Sequence, residues 1–242
     1  MSAAPSPPLG YPLDWAGASP PGRMPLRGSH VVVRPVNAAT DAEALYAVSH
    51  PPLGDASIWT YLLDGPYDSA EALRRHLAQV QQLPDPLFFT LVRLPAQEPQ
   101  GAASYLRITP AHGVIEIGNI WFGRSLQRTP AATEAIYLLV RHAFDDLGYR
   151  RVEWKCNALN AASRRAARRF GFQFEGVFRA HMVIKGRNRD TAWYAITDDE
   201  WPAVRAGFEA WLDSANFDAF GQQRRGLAEL IGRTGGRSSI FL

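Results

Sequence analysis

Ile117-Gly118-Asn119-Ile120-Trp121-Phe122-Gly123-Arg124-Ser125-Leu126-Gln127-Arg128-Thr129-Pro130-Ala131-Ala132-Thr133 is the stretch from which the fold can be read. It opens as an apolar run of strand length, passes through a loop of small and polar residues, and ends at a helix start, where Pro130 suits the first turn. Ile136, Leu139, Val140, Ala143, Phe144 and Leu147 continue the helix at helical spacing, and Gly148 marks its stop. A strand running through such a loop into a long helix leaves backbone N–H groups unpaired at the positive end of the helix dipole, where anions bind. Ala131 and Ala132 are small enough to let an anion reach the backbone, and Arg124 and Arg128 add charge. An ordinary helix start with surface arginines has the same composition. The loop is not a Walker loop, because it lacks the glycine pair and the Lys-Ser/Thr ending.

Upstream, residues 30–34 read as a strand, Asn37 or Thr40 caps a short helix to about Val48, and Asp68 or Ser69 caps a second. Ala72, Leu73, Leu77 and Val80 give that second helix its apolar stripe. Residues 87–93, 102–108 and 114–122 read as strands, the last two joined by the hairpin turn Thr109-Pro110-Ala111-His112-Gly113. Downstream come a strand at 151–156, a helix from about Ala161 to Arg169, and strands near 172–184 and 190–196. A final helix carries Trp201, Val204, Phe208, Trp211 and Leu212. This order predicts an α/β (α+β) fold, a mixed, mostly antiparallel twisted sheet of about seven strands flanked by helices. Residues 1–25, with seven prolines and scattered glycines, read as an extended arm in which Tyr11 and Trp15 are available to pack. One domain is expected over 26–220, and a flexible tail over 221–242 with one helical turn at 227–231.

The chain has 242 residues, 46% hydrophobic and 20% charged, which excludes disorder throughout and is enough for a sizeable core. Arg, Asp or Pro interrupts every apolar run before the roughly 18 residues of a membrane helix, and no secretory leader is read at the start. Cys156 is the single cysteine, so no internal disulfide forms; it reads as a buried, inert thiol. A net charge of +3 leaves anion affinity to local clusters.

Asn160-Ala161-Ala162-Ser163 precedes a short helix that ends in Arg168-Arg169-Phe170-Gly171-Phe172. Taken with Gln127-Arg128-Thr129-Pro130-Ala131-Ala132, this spacing resembles the GNAT superfamily of acyl-CoA-dependent N-acyltransferases. In that family a Gln/Arg-x-x-Gly-x-Gly/Ala loop holds the CoA pyrophosphate, and Asn-x-x-Ser/Ala followed by Gly-Phe marks the next strand and helix. Here Pro130 replaces the first glycine, removing one N–H donor at a position where proline is sterically welcome. The closing stretch, from Phe174-Glu175-Gly176 through Lys185-Gly186-Arg187-Asn188-Arg189-Asp190 to Glu200-Trp201-Pro202, looks like the branch containing the RimJ/RimL-type ribosomal-protein N-terminal acetyltransferases. The resemblance covers nearly all of the body and implies a GNAT fold, a cytoplasmic enzyme and no metal. It also implies acetyl-CoA as cosubstrate, or succinyl-CoA as in some relatives. The acceptor it implies is a primary amine of a small molecule, a peptide or a protein N-terminus. A homodimer is left open, and neither a membrane nor a nucleic acid is the expected partner.

Residue by residue, the resemblance implies that the amides around Gln127, Arg128, Thr129, Ala131, Ala132 and Thr133 hold the diphosphate, with Thr133 Oγ adding a bond. Ile120, Trp121 and Phe122 are expected along the pantetheine arm and Asn160 beside the cofactor. Arg168 or Arg164 is expected at the 3′-phosphate, against a solvated surface cluster as the plainer explanation. Ala167 stands where many members carry a tyrosine acid, which leaves Ser163 as the acid or as a helix-cap residue. For the base, Glu116 and His181 are the candidates, against an exposed strand carboxylate and a packed or surface imidazole; Met182 occupies the position where some relatives carry a carboxylate. The other histidines, His30, His50, His76, His112 and His142, show no metal-ligand spacing. Residues 50–59 and Tyr61 are expected to wall the acceptor end, with Trp59 and Tyr61 read as core residues before ligand contacts. A CoA-binding or interaction protein without turnover is the alternative, suggested by Pro130 and Ala167. A nucleic-acid or ribosome-associated binding module using the arginine helix and the tail is a third reading, though the chain lacks an interleaved aromatic and basic stripe.

Overall fold

The computed structural model describes residues 9–232, so residues 1–8 of the expected arm and 233–242 of the expected tail lie outside the described residues. In chain order the elements are β1 (Leu26–Arg27), β2 (Val31–Pro35), α1 (Ala38–Ser49), α2 (Ala70–Val80), β3 (Leu87–Arg93), β4 (Glu98–Thr109) and β5 (Val114–Phe122). Then follow α3 (Pro130–Arg141), β6 (Arg151–Asn157), α4 (Ala161–Arg169), β7 (Gln173–Ile184), β8 (Arg187–Thr197), α5 (Trp201–Leu212) and α6 (Leu227–Leu230). The strands form one sheet in the order β1-β2-β3-β4-β5-β6-β8-β7. Its pairs are antiparallel except β5 with β6.

The sheet has eight strands against the expected seven. The extra one, β1, is two residues between Pro25 and Gly28, too short to show a period, and pairs Leu26 with Val33 and Arg27 with Val32. Its return loop is fixed from α3: the buried Glu134 carboxylate accepts the N–H groups of Ser29, His30 and Val31. Of the alternative caps, Asn37 accepts from Ala39 N and Thr40 N at α1, and Ser69 accepts from Ala72 N at α2. The long helix expected to Leu147 keeps α-geometry to Arg141, takes one wider π turn over His142–Asp146, and stops at Gly148 with φ +74°.

Helices cover both faces. One core lies between the sheet and α3, α4 and α5, with α3 buried on all sides over 131–140; an apolar helix of that kind is an interior element. The second lies between α1, α2 and the β3–β5 part of the other face. Leu227 and Ile231 are buried, and a Cβ on Gly207 of α5 would meet the Ile231 backbone at 2.6 Å. The packed body therefore runs on to Ile231 instead of ending near 220. At the other end Trp15 Nε1 donates to Gly148 O, and Arg150 lies over the Trp15 ring. Among the described residues no helix is long and apolar enough to cross a membrane.

Candidate active site

The parallel β5–β6 ladder stops early. Val114, Ile115 and Glu116 pair with Arg151, Val152 and Glu153; beyond them β6 stays with β8 as far as Asn157↔Thr191, and β5 stays with β4 as far as Phe122↔Gly101. The facing edges of β5 and β6 past that point carry unpaired backbone groups, leaving a parting in the sheet. β5 is also bulged there: Ala102 pairs with Trp121 and Ser104 with Gly118, so Asn119 and Ile120 oppose Ala103 alone. Asn119 takes φ +51° and anchors its amide on Ser104 Oγ at 2.9 Å. Trp121 points to the α1–α2 core, whereas Ile120 and Phe122 pack on the other. All three expected pantetheine residues thus lie along the parting, where their backbone is what faces it.

At the end of β5 the chain turns into α3. Leu126 N and Gln127 N donate to Gly123 O, Ala132 N donates to Thr129 Oγ1, and Thr133 N donates to Thr129 O. Arg128 sits in the left-handed region at φ +61°. Among the described residues the N–H groups of Arg128, Thr129 and Ala131 have no acceptor. They form a cluster of amides at a helix N-terminus, which fits an anion such as a diphosphate. Three expected donors fall away for a physical reason: the amides of Gln127, Ala132 and Thr133 close the turn itself. Thr133 Oγ1 is buried and takes the Arg169 guanidinium at 3.1 Å, so it does not face the loop surface. Gln127 folds its side chain back onto Phe122 O.

β6 delivers the second motif. Asn160 caps α4 by accepting from Ser163 N, which uses its carbonyl oxygen inside the chain. The Ser163 hydroxyl oxygen accepts from Trp154 Nε1 at 2.9 Å, and Cys156 lies next to it. Burial pushes the Cys156 thiol up, against the smaller effect of the Ser163 bond. Arg164 is engaged by Tyr194 OH and Ala158 O, while Arg168 is exposed, its guanidinium over the Phe174 ring at 5.9 Å.

Glu116 is not the exposed strand residue of the plain reading. Its side chain is 4% exposed, and Oε2 meets both Lys155 Nζ at 3.1 Å and the Arg107 guanidinium. Lys155, itself 3% exposed, also pairs with Glu153 at 2.5 Å and lies 3.8 Å from the Trp193 ring centroid. The cluster balances charge in a buried place, where a lone carboxylate would be expensive. Oε1 of Glu116 keeps no ion pair and faces Gly118, where an added Cβ would stand 3.3 Å from it, toward the bulge. His181 sits on β7 with Nδ1 2.9 Å from Thr191 Oγ1 and its ring 6.0 Å from Trp193. Strand alternation places Glu116, Lys155, Trp193 and Thr191 on one face of the sheet, and His181 joins them through Thr191; Ser163 stands on the α4 side. The parting is what the two sides share.

Several contributors escaped sequence reading. Lys155 and Arg107 hold Glu116, and Arg189 donates from Nε to Thr191 Oγ1 while burial pulls its guanidinium below the ordinary range. A pocket between α1, α2, the 56–67 segment and β5 is lined by Trp59, Tyr67, His76, Phe88, Asn119 and Trp121. The one sequence signal for the charge cluster was Glu153 and Lys155 alternating with Val152, Trp154 and Cys156.

The sheet is thus parted at a parallel pair, with free amides at one end of the parting and a carboxylate beside a pocket at the other. The family model described as the acetyltransferase (GNAT) domain matches residues 30–173, and the chain belongs to this family of acetyltransferase enzymes. It is similar to a GCN5-related N-acetyltransferase from Brucella melitensis, 43% identical with a TM-score of 0.87 over 90% of this chain and 98% of that one. A probable GNAT-family acetyltransferase from Chromobacterium violaceum is 39% identical, with a TM-score of 0.74 over 83% of this chain and all of the other (100%). A Bacillus subtilis protein named "Putative ribosomal N-acetyltransferase YdaF" is 30% identical over 86 residues, 36% of this chain; the match spans 46% of that relative's length.

Proposed function

We propose that this chain moves an acetyl group from acetyl-CoA to a primary amine, with small molecules, peptides and protein N-termini as the acceptor classes, in the cytoplasm where that cosubstrate is supplied. The observation that carries the reading is the parting between β5 and β6 that ends in the unpaired amides of Arg128, Thr129 and Ala131. Bound acetyl-CoA supplies an acyl group on a thioester, which a neutral amine attacks directly. The three amides hold the diphosphate, the unpaired edge of β5 at 120–122 pairs with the pantetheine amides, and Arg168 is free for the 3′-phosphate. Glu116 Oε1 takes the amine proton, directly or through one water, as the C–N bond forms. The C–S bond breaks, Ser163, whose oxygen Trp154 already holds, donates a hydrogen bond to the departing thiolate, and the amine proton taken up by Glu116 returns through water to give the free thiol. An α-amino group, with a pKa of about 7.7–8.0, needs only a modest acceptor of this kind. The YdaF-like stretch supports a protein N-terminus of the RimJ/RimL type as one acceptor.

Calorimetric titration with acetyl-CoA and, in parallel, succinyl-CoA tests the reading. Micromolar binding, about −8 kcal/mol, followed by thiol release that depends on added amine, is the expected result. A preference for succinyl-CoA would reassign the donor, with the half-buried Arg189 guanidinium as its carboxylate partner. Binding without amine-dependent release would favour a CoA-binding protein without turnover, and no binding of either would overturn the enzyme reading.

A further inference from the structure

Thr191 of β8 is buried, and its hydroxyl oxygen is the meeting point of two side chains. Arg189 donates to it from Nε at 3.2 Å, and His181 Nδ1 lies 2.9 Å from it. Both side chains therefore turn their far ends away from Thr191, and there the two Arg189 Nη groups and His181 Nε2 have no partner among the described residues. None of these atoms is sealed from solvent: His181 is exposed and Arg189 half-buried. His181 reaches this place through a bulge. Phe178 pairs with Thr191 and Met182 with Arg189, so Arg179, Ala180 and His181 oppose Asp190 alone. Plain alternation from Phe178 would send His181 to the opposite face. Ala180 instead takes φ +48°, Asp190 Oδ1 accepts its N–H at 2.8 Å, and the imidazole is re-aimed onto the Thr191 hydroxyl.

Arg189 is also the cation left over on this face of the sheet. Glu116 meets Arg107 and Lys155, Glu153 meets Lys155 and Arg151, and Arg151 also meets Glu175, so three carboxylates are matched by three cations. No carboxylate among the described residues pairs with Arg189; Thr191 is its one hydrogen-bond partner. Burial holds its guanidinium below the ordinary arginine range, and the Glu116 carboxylate stands near enough to pull in the other direction. A half-buried cation without a counter-ion is costly, and its two outer N–H groups form the fork that a carboxylate accepts in parallel. The unmatched charge therefore lies beside the group assigned as proton acceptor, with its donors turned outward.

Resting on the acyl-transfer reading of this site, we propose that the acceptor is a free amino acid, whose carboxylate is held by the Arg189 Nη groups with His181 Nε2 beside it while its amine faces Glu116. One carboxylate matches the one unpaired charge. An amino-acid amide keeps the amine and offers only a neutral oxygen to the fork. At a protein N-terminus the same carbon carries a neutral peptide bond, so it is recognised no better than the amide.

The test sets the common L-amino acids, each against its α-amide, before the full chain with acetyl-CoA. For the best acceptor kcat/KM is expected to be at least about tenfold higher for the acid than for the amide, although the amide's less basic amine is more often neutral and by itself favours the amide. Arg189→Met removes the charge and is expected to cut the acid-to-amide ratio about tenfold; Arg189→Lys keeps a cation without the fork and is expected to cut it less. Equal use of acids and amides, better use of phosphoethanolamine than of any amino acid, or an unchanged ratio in both variants overturns the proposal while leaving acyl transfer intact. Loss of succinyl-CoA affinity in Arg189→Met with the amino-acid preference intact gives the guanidinium to the acyl donor and overturns it too. Melting curves with CoA present separate the two ideas. A melting temperature raised by the amino acid and not by its amide, an effect lost in Arg189→Met, supports the site even without turnover, whereas neither a shift nor a preference for acids overturns it.

Discussion

The two ends of the parted β5–β6 pair are built from different material. At the α3 end the donors are main-chain amides of Arg128, Thr129 and Ala131, set by a turn that Thr129 closes with its own hydroxyl. At the other end the clustered groups are side chains brought from five elements: Glu116 of β5, Lys155 of β6, Arg107 of β4, Trp193 of β8 and His181 of β7. A backbone site depends on φ and ψ and tolerates side-chain change, while a side-chain site fails with the loss of one atom. The sharpest way to break this contrast is Glu116→Gln. It preserves shape beside Lys155 and Arg107 but removes the carboxylate that we assign as proton acceptor, and amine-dependent thiol release is expected to fall about 100-fold with acetyl-CoA affinity within about twofold. An equal loss in affinity would show that Glu116 organises the parting and not the proton transfer.

Ser163→Ala is next in size. Its oxygen accepts from Trp154 and Cys156 lies beside it; under the proposed acid role a fall of about tenfold in turnover is expected, again with calorimetric acetyl-CoA binding preserved. An unchanged rate would leave Ser163 as a residue that orders α4 and nothing more.

The difference in material also explains what the sequence could tell. Pro130, Gly148, Asn160 and the cap at Ser69 act on neighbours within a few residues, so their roles were visible in one dimension. The strands themselves were legible as apolar runs along the chain, except for β1, where two residues carry no period and the buried Glu134 supplies the fixing contacts from 103 to 105 positions away. The turn that opens α3 was legible from Pro130, but which of its amides stay free depended on Thr129 capping Ala132, a detail of geometry. Glu153 and Lys155 showed the right alternation, yet nothing local said that their face would be buried with Glu116 and Arg107 across three strands. His76 and Tyr67 lie nine residues apart, and only the fold sets their rings 5.3 Å from each other. Asn119 was the readable clue that went unused: Asn after Gly in an apolar strand tolerates positive φ, which is what the bulge requires.

Acid pH should separate the ends further. Burial holds His50 below the usual histidine range, and its Nε2 accepts the Tyr67 N–H only while that nitrogen is unprotonated. Because the folded value lies below the unfolded one of about 6.5, the stabilisation is present above about pH 6.5 and is lost as pH falls through the folded value. Hydrogen-exchange protection of the Tyr67 amide, corrected for intrinsic rate, is therefore expected to drop several-fold between about pH 7 and pH 5. The Ala132 amide, bonded to a hydroxyl that does not titrate, should keep its protection. Parallel loss at both amides would mean that acid loosens the whole domain.

The smallest expected effect is the most direct probe of the backbone end. Arg128 holds φ +61°, a conformation that costs an L-residue about 1–2 kcal/mol, and its side chain is exposed. Arg128→Gly keeps the amide, relieves that strain and removes one guanidinium that water and salt already screen. Glycine's extra freedom in the unfolded chain offsets much of the relief, about 0.5–1 kcal/mol, so the melting temperature should move by only a few degrees, upward. Acetyl-CoA affinity is expected to stay within about threefold, because the N–H that we assign to the diphosphate is unchanged. A loss of tenfold or more, disappearing at high salt, would show that the arginine's charge and not the peptide backbone holds the anion, and the two ends would then be alike in being made of side chains.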